Sequence, residues 1–124
     1  LSIVEKYKHD LPNVVIHCYT GNDEKEVEEY ISRGFYIGLT TYICKKTRGE
    51  EIRKIIPKIP LDRIMIETDS PWMLPHSGKQ WNGRNEPCNL PYAVSTIAKC
   101  LNVSEEEVEQ AVTRNTLKFF DIKL

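Results

Sequence analysis

Three short apolar runs, Val14-Val15-Ile16, residues 35–41 and Ile64-Met65-Ile66, recur along the chain with room for one helix between each pair. Runs this short read as buried strands, and the β-branched composition of the first favours pleated backbone, so a strand is expected over residues 13–18. After Gly21, Asn22 or Asp23 can cap a helix with an acidic first turn, an apolar stripe of Val27, Tyr30 and Ile31, and Gly34 as its stop. The second strand is expected over residues 35–41. Ile52, Ile55 and Ile56 then mark a short helix that Pro57 and Pro60 end before the third strand. Strands alternating with helices at intervals of roughly 20 to 30 residues are the pattern of βα units and a parallel sheet. In a right-handed succession of such units all strands point one way, so their carboxyl ends share a rim.

That rim collects the polar residues that close each run. His17 ends the first strand, Thr41 the second, and the third leads into Glu67 and Asp69 with Pro71 just beyond. Residues two apart on an extended chain project to one face, so both carboxylates are expected to look into one space at the strand's carboxyl end, where α/β folds keep their sites. The plain alternatives are a core histidine bonded to a carbonyl and two solvated loop acids, with Asp69 capping a turn. The long loop of residues 70–88 carries Trp72, His76, Lys79, Trp81, Arg84 and Glu86 among prolines and glycines. A loop of that length is usually functional or disordered, and its two tryptophans argue for order.

Elsewhere, Val4, Tyr7 and Leu11 recur at helical spacing before Pro12-Asn13 breaks the pattern. Two helices are expected after the long loop. Asn89 would cap the first, with Val94, Ile97, Ala98 and Leu101 as its buried face. Ser104 and Glu107 would form a capping box on the second, whose apolar side runs through Val108, Ala111, Val112 and Phe119, with Phe120 sealing the end. The run Glu105-Glu106-Glu107 is then a first turn facing the positive helix end rather than a metal site. At 124 residues the chain can build one core, so a single domain or part of one is expected. Seventeen basic and eighteen acidic residues exclude a global positive field, so any nucleic-acid contact must be local. Lys45, Lys46 and Arg48 are candidates for it, with a solvated basic turn as the alternative. No apolar stretch has transmembrane length, and the first residues have neither a signal peptide nor an initiator methionine. Four scattered cysteines without a CxxC pair offer no zinc knuckle and no disulfide framework, as expected of reduced thiols in an intracellular protein, cytoplasmic or nuclear. Cys88 has no base near it in sequence to make it a nucleophile.

His17-Cys18-Tyr19-Thr20-Gly21, Tyr36-Ile37-Gly38-Leu39-Thr40, Ile59-Pro60-Leu61-Asp62-Arg63, Glu67-Thr68-Asp69-Ser70-Pro71 and Arg84-Asn85-Glu86-Pro87 occur in the order and context of the TatD-type metal-dependent deoxyribonucleases. The chain resembles that family over nearly its whole length. The resemblance implies a TIM barrel of the metallo-dependent hydrolase type, these segments being its sixth, seventh and eighth strands. A full (β/α)₈ barrel takes about 250 residues, so residues 1–124 would be its carboxyl-terminal half, about three βα units plus the terminal helices. The implied chemistry is hydrolysis of DNA by two divalent ions, Mg²⁺ first and Mn²⁺ or Zn²⁺ as alternatives, about 3.5–4 Å apart. His17 would bind one ion. Asp69 would bind the other and orient or deprotonate the attacking water, with Glu67 supporting Asp69 or the water. Arg84 would meet phosphate, and Asn85 and Glu86 would hold the loop or the sugar.

The family's first-strand His-x-His pair, fourth-strand glutamate and fifth-strand histidine are expected to lie outside these residues, which would leave the chain alone weak or inactive. Tyr19 stands where phenylalanine is usual, a change expected to add a hydroxyl and little else. An open half-barrel would expose two strand edges and associate with itself. No membrane partner is expected. Trp72 and Trp81 would stack unpaired bases or pin the loop to the barrel, and His9 and His76 would be surface residues. Two other functions fit the same residues: a metallo-hydrolase for a small ester, lactone or amide, and a non-catalytic half-barrel that binds a partner.

Overall fold

The three apolar runs pair in parallel in the computed structural model, which describes residues 1–75 and 83–124. β1 (Val15–Ile16), β2 (Tyr36–Thr40) and β3 (Ile64–Glu67) form one sheet in the order β1-β2-β3, with Ile16 opposite Ile37 and Thr40 opposite Glu67. β1 is shorter than the expected strand because Cys18 turns into the left-handed region at φ 47°. Pairing resumes beyond the turn, where the Tyr19 amide donates to the Gly38 carbonyl at 2.8 Å. Side chains alternate along the strands. Ile16, Ile37, Leu39, Ile64 and Ile66 join the apolar core, whereas Gly38 and Glu67 belong to the opposite face.

The helices cover the core face. α1 (Ser2–Lys6) buries nothing, and the expected continuation to Leu11 fails at Tyr7, where the chain tightens into a 3₁₀ turn over Lys8–Asp10. Helical spacing without a core to face does not sustain a helix. α2 (Glu24–Ser32) is capped by Asp23, whose Oδ1 accepts from the Lys25 amide at 2.9 Å, and Gly34 at φ 79° lets its own amide and that of Phe35 satisfy the last carbonyls. Val27 on α2 is buried. The Tyr19 hydroxyl does more than expected: it donates to Glu26 Oε2 at 3.0 Å while Tyr30 donates to Oε1 of the same carboxylate at 2.9 Å, tying the β1–α2 loop to the helix.

β2 runs into a 3₁₀ turn, Thr41–Cys44, and α3 (Glu50–Ile55) follows with Ile52 and Ile55 inward. α4 (Leu90–Leu101) and α5 (Glu105–Phe119) pack together and against β3. Ser104 caps α5 through the Glu107 amide at 3.1 Å. Asn89 stands at the start of α4 without a side-chain cap bond, because its amide donates sideways to Asn85. Asn115 donates to the carbonyls of Leu61 at 2.9 Å and Ile64 at 2.8 Å, fixing α5 to the entry of β3. Phe120 seals nothing; it is exposed and meets Phe119 edge to face.

Candidate metal centre

Glu67 ends β3 on the face where β2 carries Gly38, and its side chain crosses that gap toward β1. Oε2 accepts from the Cys18 amide at 3.2 Å and lies 2.6 Å from His17 Nδ1. The left-handed Cys18 residue aims that amide at the carboxylate. Burial pushes the Glu67 carboxyl above the usual carboxylate range, and Asp69 adds to this, while His17 and the Cys18 amide pull it back. With Nδ1 as donor to Glu67, the imidazole keeps its Nε2 lone pair free to accept.

Nε2 faces Asp69, whose Oδ1 stands 3.5 Å away. Both carboxylates open into one space, as their spacing of two leads one to expect, although β3 itself ends at Glu67. Asp69 itself is left-handed at φ 52°, a conformation short polar side chains tolerate, and its carbonyl accepts from the Trp72 amide at 2.8 Å. Ligand atoms of His17, Glu67 and Asp69 all lie within 4.8 Å of one another. The imidazole is 69% exposed and the carboxylates 19% and 21%, so an ion has access from solvent while the acids are held. The span from Nε2 to Oδ1 is long for a hydrogen bond, but two ligands each about 2.0–2.2 Å from one cation at a near-tetrahedral angle stand roughly 3.3–3.6 Å apart. One imidazole nitrogen and hard carboxylate oxygens are a donor set that fits a divalent ion.

The hydrogen bonds of Glu67 within the chain go to His17 and Cys18. Asn85 is 2% exposed, and its amide is fully engaged within the chain. Nδ2 donates to Thr41 Oγ1 at 3.0 Å and the Thr68 carbonyl at 2.8 Å, and Oδ1 accepts from the Glu86 amide at 3.0 Å and Asn89 Nδ2 at 2.8 Å. Its backbone amide donates to Pro71 at 2.8 Å, and Thr41 Oγ1 donates to the Met73 carbonyl. Of the two tasks expected of Asn85, the geometry engages it in holding the loop that carries Asp69. Arg84 and Glu86 flank it and are exposed.

The Cys18 thiol sits beside Asp69 and Thr40, and burial first, then Asp69, pushes it up to about 11, so it stays a thiol at neutral pH. Cys88 is exposed near Glu86. Trp72 is 74% exposed on the Asp69 loop. His9 is at the surface, as are Lys46 and Arg48. The expectations for His76, Lys79 and Trp81 lie outside the described residues. Gly38 and Cys18 carry site geometry that reading the chain by residue chemistry passes over. A glycine inside an otherwise apolar strand is the one signal for it, since it marks a close approach.

The sequence profile of a family described as TatD related DNase matches residues 1–121. A Cronobacter turicensis protein named 3′-5′ ssDNA/RNA exonuclease TatD is 37% identical over 122 residues, covering 97% of this chain and 46% of that protein. A Rahnella protein of the same name is 38% identical over 121 residues, with 96% and 46% covered. The chain thus spans about half the length of these relatives. Among solved structures, the TatD homologue YJJV of Escherichia coli superposes with a TM-score of 0.81 at 26% identity over 97% of this chain and 45% of that one. A TatD-family hydrolase of Entamoeba histolytica gives 0.78 at 21% identity, with 95% and 45% covered, a likeness of fold.

Proposed function

The chain belongs to the TatD-related DNase family, and we propose that it supplies one side of a divalent-metal site that hydrolyses phosphodiester bonds in single-stranded nucleic acid. The observation that carries this reading is the convergence of His17, Glu67 and Asp69, from two separate strand ends, into one solvent-accessible cluster of ligand atoms. The names of the relatives support the substrate class.

In this reading Glu67 holds the imidazole by Nδ1, so that Nε2 of His17 and Oδ1 of Asp69 offer two ligand atoms toward the same space. When bound, a divalent cation supplies positive charge against the phosphate oxygens and makes an attacking water more acidic. Asp69 orients that water and takes its proton, and the loop clamp of Asn85 keeps Asp69 in place. The guanidinium of Arg84 suits a phosphate oxygen pair, with Glu86 beside it on the sugar side. Trp72 offers an exposed ring to an unpaired base. Hard carboxylate oxygens make Mg²⁺ the first ion to test, and the imidazole suits Mn²⁺ or Zn²⁺.

The fold and the coverage of relatives support a further part of the proposal: residues 1–124 are the carboxyl-terminal half of a (β/α)₈ barrel, and the remaining ligands of a two-ion site come from the other half. The test is cleavage of labelled single-stranded DNA and RNA with Mg²⁺ or Mn²⁺, on this chain and on a complete barrel containing it, with EDTA and Asp69→Asn controls. Cleavage by the complete barrel that both controls reduce at least a hundredfold is expected. A complete barrel that cleaves neither nucleic acid, or cleaves equally well with EDTA, overturns the proposal.

A further inference from the structure

We propose that Gly38 is a positioning residue for the metal centre: its lack of a side chain opens the path along which the Glu67 carboxylate reaches across β2 to hold His17. This rests on the metal reading above. β2 lies between β1 and β3, so a side chain from the end of β3 must pass over β2 to touch the end of β1. It passes directly over Gly38. A methyl group there would stand 1.9 Å from Glu67 Oε1 and 2.7 Å from its Cδ, with the Ile16 carbonyl at 3.2 Å on the other side. Those distances leave no room for both groups. Gly38 is not left-handed, so no backbone conformation demands glycine here; the requirement is space alone.

The consequence reaches the metal ligand through two bonds. Oε2 of Glu67 receives the Cys18 amide and His17 Nδ1, so displacing the carboxylate frees both at once. A metal-binding imidazole depends on the partner of its other nitrogen for ring orientation and tautomer, and loss of such a partner typically costs ten- to a hundredfold in metal affinity. Gly38 therefore selects the Nδ1-protonated form of His17 without touching it.

Long-range ¹H–¹⁵N correlation spectra of this chain report the His17 tautomer directly, and calorimetric titration with Mn²⁺ reports affinity; neither needs catalysis. Wild type is expected to show a single Nδ1–H tautomer. Gly38→Ala is expected to show a mixture, with Mn²⁺ binding about tenfold or more weaker, and Glu67→Ala the same. The double variant Gly38→Ala/Glu67→Ala should lose no more than Glu67→Ala alone. If Gly38→Ala fails to fold while the double variant folds, Glu67 is the obstacle and the inference stands. It is overturned if Gly38→Ala keeps the wild-type tautomer and affinity, if its loss of affinity is undiminished on the Glu67→Ala background, or if both Gly38 variants fail to fold. Should this chain bind no Mn²⁺, the same titration on a complete barrel decides the metal reading, which fails if the barrel binds none, and the tautomer comparison still decides the role of Gly38.

Discussion

Asn85 separates two kinds of importance that a sequence motif blends together. Its side chain uses both donors and both acceptor sites inside the chain, on Thr41, Thr68, Glu86 and Asn89, at 2% exposure. Truncation to alanine strands several of these groups, and each buried group left unpaired costs about 1–3 kcal/mol. Asn85→Ala should therefore lower unfolding free energy by roughly 2–4 kcal/mol in urea denaturation. Unchanged stability with a raised KM would instead make Asn85 a substrate contact. Trp72 is the opposite case. At 74% exposure it supports little packing, so Trp72→Ala should leave the melting temperature within about a degree while raising the KM of the complete barrel for single-stranded DNA about tenfold, the scale of one stacked base. An unchanged KM removes the stacking role. His17 and Asp69 were legible from sequence because strand ends on one rim converge whatever the details of packing. The Cys18 partner of Glu67 was not, because it lies 49 residues away and a left-handed turn at Cys18 presents its amide, a conformation that no local signal in the sequence marks.

Among the elements, the capped helices were read most closely and the ends of strands least. Asp23 and Ser104 are local signals: cap and capped amide lie two or three residues apart, and nothing distant competes. Asn89 occupies the same kind of position, yet its side chain is claimed by Asn85 four residues back, a contact that depends on the fold of the long loop. β1 was read too long because the β-branched run predicts where extension begins, while Cys18 ends it to serve a carboxylate 49 residues away. Distant tethers also decide how elements are held. α5 is joined to the entry of β3 by Asn115, whose amide meets one buried and one partly buried carbonyl. Asn115→Ala should cost about 2 kcal/mol, twice the roughly 1 kcal/mol expected for the Ser104→Ala cap variant. Chemical denaturation of the two variants side by side measures the ratio. A loss for Asn115→Ala no larger than for the cap would mean that apolar packing of Val108, Ala111 and Val112 holds α5 without the tether.

At the scale of the whole molecule, parallel sheets survive in water when both faces and both edges are covered. Among the described residues β1 and β3 each pair on one side alone, and beside β3 two adjoining clefts share Ile66, Leu90, Val112 and Thr113, a mainly apolar groove with Glu105 and Glu109 at its rim. A complete barrel would place a further strand along that edge, which is the proposed relation of this chain to relatives twice its length. Without such a partner, the edge and groove should find a second copy. We expect the isolated chain to sediment as a dimer or larger species at tens of micromolar and to approach a monomer on dilution, because backbone pairing and burial of the groove act together. Ile66→Lys sets a charge at the edge and in the groove, a change that opposes both forms of association. It should shift sedimentation to monomer at every concentration tested, and because Ile66 also packs on the core, a lower melting temperature is expected beside it, with a far-ultraviolet circular dichroism spectrum that is still that of a folded chain. A wild-type chain that stays monomeric throughout would mean that the edge is already covered by this chain's own segments, and would weigh against the half-barrel assignment. Association that Ile66→Lys does not relieve would move the contact to the other edge, along β1.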